Sequence, residues 1–129
     1  MSRYLLDTNA ALLALAEPSM LSQAARAALQ AGPNVLSVVS YWEVLIKSVK
    51  GKLKIGDPRT WWVEALDQLA ATPLLLRPEH VSTVHTLPQL HGDPFDRVLI
   101  AQAIAEELEM VTADREIPQY ASTYFRVIS

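Results

Sequence analysis

The feature that most limits the folds open to this chain is the alternation of short apolar runs with longer stretches of helix formers. The run Tyr4 to Leu6 ends in Asp7 and gives way to helix-forming residues from Asn9 to Ala16, which Glu17-Pro18 stops. An alanine-rich segment, Ser22 to Ala31, closes on Gly32-Pro33. Asn34 to Val39 (NVLSVV) then has the β-branched content of a buried strand. Further along, the spacing predicts helices over Tyr41 to Lys50 with Gly51 as the stop, and from Asp57-Pro58 to about Ala70. Short elements are expected at Pro73 to Leu76 (strand) and Pro78 to about Thr86 (helix). After the loop LPQLHGD come a helix from Pro94 to Glu109, a strand from Met110 to Thr112, a helical turn from Asp114 and a last strand from Tyr124 to Ile128. Strands and helices alternating through short connections argue for a parallel sheet covered on both faces, whose ligands bind beyond the carboxyl ends of the strands.

Length and composition narrow the class. With 129 residues, 50% of them hydrophobic and 19% charged, the chain fits one globular domain, 1–129, and shows no internal repeat or linker. A net charge of −3 excludes holding nucleic acid by bulk positive charge and leaves only a local basic patch for that purpose. No cysteine is present, so neither disulfides nor cysteine-bound zinc stabilise the fold. The start MSRYLLDTN lacks the long apolar core of a signal peptide, and no apolar run reaches the roughly 20 residues that cross a bilayer. The expectation is a soluble cytoplasmic protein without membrane partners.

The acids fall in a pattern. Asp7 ends the first strand, Glu43 sits at the start of the helix after the second, Asp96 in the first turn of the long helix, and Asp114 just past the fourth strand. In a parallel sheet these junctions share one edge. Each acid also has an ordinary use. Asp7 and Asp114 suit helix caps, Ser40-x-x-Glu43 reads as a capping box with Glu43 paired to Lys47, and Asp93 before Pro94 is a common helix start. Taken together they say more, because Asp7 follows YLL and Asp96 shares a helix side with Ile100 and Ala103, which denies both an easy route to solvent. Several ionised carboxylates in one partly buried cleft repel each other unless a proton or a cation intervenes. An all-oxygen set suits Mg²⁺ or Mn²⁺, and such ions activate water and stabilise the charge of a phosphodiester transition state.

The stretches YLLDTNAALLAL, LSVVSYWEVLIKSVKGKL, LPQLHGDPFDRVLIAQA and MVTADREIPQY, in that order and spacing, resemble the PIN-domain ribonucleases, and within them the VapC toxins of type II toxin-antitoxin pairs. The resemblance covers nearly the whole chain. It implies a three-layer α/β/α sandwich with a central parallel sheet. It further implies a metal-dependent endoribonuclease in which Asp7, Glu43, Asp96 and Asp114 hold one or two Mg²⁺ or Mn²⁺ ions, with Asp93 as a fifth acid. Thr8, Asn9 and Thr112 become candidates to orient the acids or a bound water, and Arg97 to meet substrate. RNA as substrate, a VapB-like antitoxin and a homodimer follow from the same resemblance. Relatives with DPFDR often carry histidine at the position of Asn9 and arginine at that of Gly92, departures that bear on substrate preference.

Other features read more plainly. Lys47, Lys50, Lys52 and Lys54 surround a helix end, where they favour the dipole and could form a phosphate-contacting rim with Arg97 and Arg115. Trp61 and Trp62 point about 100° apart on one helix, so one is expected to face a partner. His80, His85 and His91 have no metal-ligand spacing. A phospho-acceptor receiver domain is a competing class, but no adjacent acidic pair follows the first strand and no lysine ends the last. A non-catalytic PIN-like binding module is the other alternative.

Overall fold

The computed structural model describes residues 2–90 and 92–129; His91, noted above, lies outside them. Five parallel strands, β1 (Tyr4–Leu6), β2 (Asn34–Ser37), β3 (Ala71–Leu74), β4 (Glu109–Val111) and β5 (Val127–Ile128), form one sheet in the order β3-β2-β1-β4-β5. Helices α1 (Thr8–Ala16), α2 (Gln23–Ala31), α3 (Val38–Val49), α4 (Pro58–Gln68), α5 (Pro78–Val84) and α6 (Pro94–Ala105) connect them. The result is the three-layer parallel α/β architecture read from the sequence.

The layers follow from the twofold periodicity of the strands. Leu5, Val35 and Met110 point into one core with Leu99, Ile100, Ala103 and Phe125. Their neighbours Leu6, Leu36 and Val111 point into the other, with Ala10 and Ala11 of α1, Val44 of α3, and Trp61 and Ala65 of α4. From β1 the chain goes out to β2 and β3 on one side, while β4 and β5 add to the other side. The strand order therefore reverses between β1 and β4, and the crevice at their carboxyl ends is where such sheets hold ligands. Among the described residues no helix is long and apolar enough to cross a membrane.

Element boundaries shift from the sequence reading in ways that matter for the site. The strand after Pro33 stops at Ser37, whose hydroxyl accepts from the Val39 amide at 3.0 Å and starts α3 three residues earlier than predicted. Ser40 is therefore inside the helix, the Ser40-x-x-Glu43 capping box does not form, and Glu43 lies in the second turn. β3 occupies Ala71–Leu74 rather than 73–76; it lies at the sheet edge, where Pro73 is tolerated. α6 ends at Ala105, four residues before the predicted Glu109. There Glu107 adopts a left-handed φ of 57°, and Leu108 donates its amide to the Ala103 carbonyl at 2.8 Å. Of the freed residues, Glu106 to Leu108 form the turn and Glu109 begins β4. The predicted helical turn from Asp114 is a 3-10 turn over Ile117–Tyr120, and the last strand is reduced to Val127–Ile128.

Candidate active site

Asp7 caps α1. Its Oδ1 accepts from the Ala10 amide at 2.7 Å, and its Oδ2 accepts from the Thr112 hydroxyl. Thr112 follows β4, and its Oγ1 also accepts from the Asp114 amide at 2.9 Å. One threonine thus ties the ends of the two strands that flank the crevice and sets the direction in which Asp114 leaves. Asp114 in turn accepts from the Glu116 amide at 2.8 Å, which folds the following turn back.

The other acids arrive on helices. Asp93 caps α6, accepting from the amides of Phe95 at 2.9 Å and Asp96 at 3.4 Å, while Asp96 is buried in the first turn, where the helix dipole favours a carboxylate. Glu43 comes from α3. Thr8 donates to the Ser40 hydroxyl at 3.0 Å, which pins α3 against the start of α1 one turn before Glu43. Asp7, Thr8, Asn9, Leu12, Glu43, Lys47, Asp93, Asp96 and Asp114 then line one cavity of about 230 Å³. All five acids singled out in the sequence come together there, along with Thr8 and Asn9, and Thr112 sits behind Asp7.

Two expectations about basic residues change. Arg97 is buried and donates to the Pro88 carbonyl at 2.8 Å and to the Tyr120 hydroxyl at 3.2 Å, so it braces the loop before α6 instead of meeting substrate. One helix turn cannot send Asp96 and its neighbour the same way, since successive side chains diverge by about 100°. Lys47, read above as part of a surface rim, turns into the cavity, with Nζ 2.8 Å from Glu43 Oε2. The only sequence signal for it was the four-residue spacing from Glu43, which fits a solvated helix pair equally well. Arg115 lines a neighbouring depression with Asp114.

The electrostatics are those of a site short of positive charge. Burial pushes the Asp7 carboxyl up to about 7; its hydrogen bonds from Thr112 and Ala10 oppose that rise, and the charges of Asp96 and Asp114 add to it. Glu43 lends one oxygen to Lys47, whose ammonium is held above the ordinary lysine range mainly by that hydrogen bond. Its other oxygen, Oε1, is buried without a hydrogen-bond partner. An orphaned carboxylate oxygen among further carboxylates fits a hard divalent cation, which accepts several oxygen ligands and neutralises their repulsion. No three Asp, Glu or His side chains among the described residues are already gathered into a finished coordination cage. Mutual repulsion and the internal bonds of Asp7 and Glu43 give a physical reason for that spread.

The Trp61 and Trp62 pair resolves as core and half-core. Trp61 is buried, and Trp62 stacks on Tyr41 with ring centroids 5.0 Å apart. The exposed tryptophan is Trp42 on α3, which meets Phe95 edge-on at 5.1 Å.

Comparison with known proteins supplies the family. The PIN domain family model matches residues 4–122. Ribonuclease VapC22 of Mycobacterium tuberculosis is 30% identical over 119 residues, 91% of each chain. Among solved structures, the DNA-bound VapBC of Salmonella typhimurium superposes with a TM-score of 0.71 at 17% identity, over 99% of this chain and 98% of that one. VapBC2 of Rickettsia felis, bound to a DNA fragment from its promoter, gives 0.70 at 15% identity over 98% of both. At those identities the structural likenesses bear on the fold alone. With the family pattern running from the first strand past the 3-10 turn, and a VapC relative matched along nearly its whole length, this chain belongs to the PIN-domain family, on its VapC branch.

Proposed function

We propose that this protein is a divalent-metal-dependent endoribonuclease that acts, as a single domain, as the toxin of a VapBC-type pair, neutralised by a VapB-like antitoxin. The observation that carries the reading is the convergence of Asp7, Glu43, Asp93, Asp96 and Asp114 on one cavity in which Glu43 Oε1 has no partner. In this reading Asp7, Glu43, Asp96 and Asp114 hold one or two Mg²⁺ or Mn²⁺ ions, and Asp93 serves first as the cap of α6. A bound cation of this kind supplies an activated water and takes up charge on the leaving oxygen of the phosphodiester. The protein's own part is positional. Thr112 fixes the rotamer of Asp7, Thr8 holds α3 so that Glu43 faces the cavity, and the amino ends of α1 and α6 temper the repulsion among the acids. Asn9, exposed at the rim, is placed to contact RNA.

The test is incubation of purified protein with structured RNAs and Mn²⁺ or Mg²⁺, scored for defined fragments against EDTA. Asp96→Asn and Glu43→Gln are expected to lower cleavage by roughly 100-fold or more, the scale set by losing a preorganised charge at a transition state, while far-UV circular dichroism stays native. Asp93→Asn, still a good cap, keeps measurable activity. Full cleavage by purified Asp96→Asn removes Asp96 from the chemistry.

The antitoxin reading has a structural support of its own. A groove of about 240 Å³ between α1 and α4, lined by Leu12, Leu15, Ile55, Trp61 and Ala65, shares Leu12 with the acid cavity. An apolar segment lying there would bring a basic side chain within reach of the acids. A homodimer is proposed on the opposite kind of surface, the outward row Trp42, Leu45 and Val49 of α3, spaced three and four apart.

A further inference from the structure

Among the described residues that line the acid cavity, Lys47 is the one basic side chain. Its partner is unusual for a four-residue helix pair. Such pairs normally join two solvated side chains and contribute a few tenths of a kcal/mol. Here the Glu43 side chain is 4% exposed and that of Lys47 42%. Glu43 cannot follow the lysine into solvent, whereas the lysine, on its flexible four-carbon stem, can leave. The pair also leaves Glu43 half satisfied: Oε2 lies 2.8 Å from Nζ, and Oε1 is buried with no partner. An ammonium at that point therefore neutralises one of several carboxylates and leaves coordination capacity unused.

We propose that Lys47 is the resident counter-ion of the metal-free site, holding Glu43 in place until a divalent cation takes its position, so that loading the site exchanges one cation for another. The proposal rests on the reading of this cavity as a metal centre. The exchange keeps Glu43 oriented and partly neutralised in the empty protein, at the cost of weakening metal affinity by whatever the Lys47 pair contributes. The backbone at Lys47 is fixed while the side chain moves, because its carbonyl accepts from the Lys52 amide at 2.8 Å in the turn that ends α3. Lys47 thereby acts as an internal competitor for Glu43.

The experiment is titration of the purified full chain, free of RNA, with Mn²⁺, reading free Mn²⁺ by electron paramagnetic resonance, together with thermal melting in EDTA. Lys47→Met, which keeps the apolar stem and removes the charge, is expected to bind Mn²⁺ roughly five-fold tighter or more and to melt lower in EDTA, on the scale of a partly buried ion pair. Lys47→Gln, able to hydrogen-bond Glu43 without charge, guards against a folding failure and should tighten binding as well. Lys50→Met, one turn on and exposed, controls for the general field and should stay within about twofold of the wild type. In a Glu43→Gln background, Lys47→Met should change affinity by less than about twofold. Equal affinities for Lys47→Met and Lys50→Met overturn the proposal, as does tightening that persists without Glu43. In either case wild-type Mn²⁺ binding leaves the metal-centre reading standing. A wild type and a Lys47→Met variant that both take up no Mn²⁺ sink the two together.

Discussion

Asp7 is the residue where structure and charge conflict most. It caps α1 and anchors Thr112, yet burial raises its pKa from 3.8 to about 7. A carboxyl whose folded pKa lies above its unfolded one binds a proton more tightly when folded. Its full stabilising share is present below about pH 4 and is lost as pH rises through about 7. Over that window the metal-free protein is expected to lose stability on the order of 4 kcal/mol from this group, since each pH unit between the unfolded and folded values contributes about 1.4 kcal/mol. Asp7→Asn should flatten the dependence, since its Oδ1 can still accept from Ala10 and its amide can donate to Thr112 Oγ1. Urea unfolding of both proteins in EDTA at pH 5 and pH 7.5 measures this. Parallel slopes in wild type and variant would show that Asp7 ionises freely in the fold. The acids themselves were legible as candidates, because each falls on a strand-to-helix junction or near a helix start. That Lys47 joins them and Arg97 does not was illegible, because the direction of a side chain on a helix depends on which face the rest of the fold covers.

At the scale of elements, α3 and α6 end in the same hydrogen-bond pattern with different residues. After α3, Gly51 takes φ 74°, Gly51 donates to Ser48 at 3.0 Å and Lys52 to Lys47 at 2.8 Å. After α6, Glu107 takes φ 57°, donating to Ile104 at 3.3 Å, with Leu108 reaching Ala103. Glycine occupies the left-handed region without steric cost, so the first stop could be read from sequence. The second could not, because Glu-Glu-Leu-Glu continues a helical pattern, and it is the burial of Leu108 between helix and sheet that selects the turn. Glu107→Gly is therefore expected to stabilise the protein by about 0.5–1 kcal/mol. Gly51→Ala, where a Cβ meets nothing within 4 Å, should destabilise it by a similar amount through backbone strain alone. Thermal melts of the two variants should move in opposite directions; a lower melting point for Glu107→Gly would mean that the glutamate side chain makes a contact that outweighs its strain.

The whole molecule presents two apolar surfaces that the proposed function would use at different times. The α3 row of Trp42, Leu45 and Val49 is exposed, and the α1–α4 groove opens beside the acid cavity. Hydrogen exchange on the protein alone and with the proposed VapB-like antitoxin separates them. If the row mediates a homodimer, protection across α3 rises with protein concentration in the free protein; if the groove takes the antitoxin, protection of α1 and α4 appears only in the complex. Antitoxin-dependent protection confined to surfaces away from the groove and the acids would overturn that docking.

The sequence by itself determined the class of this fold. Runs such as Tyr4 to Leu6 and Asn34 to Val39, too short for helices and rich in aliphatic residues, need pairing on both sides, and the helical stretches between them leave a parallel sheet as the solution. It also put Asp7 and Asp114 just past such runs and Asp93 and Asp96 at a helix start, positions that can share one edge. Only the tertiary structure decided the rest. Packing of α3 on α1 turned Glu43 and Lys47 inward, and packing of α6 turned Asp96 toward the cavity and Arg97 away from it. The reason is physical: strand-and-helix alternation is written in local periodicity, whereas burial, the orphaned oxygen of Glu43 and the raised pKa of Asp7 arise from which distant elements exclude water from the same small region.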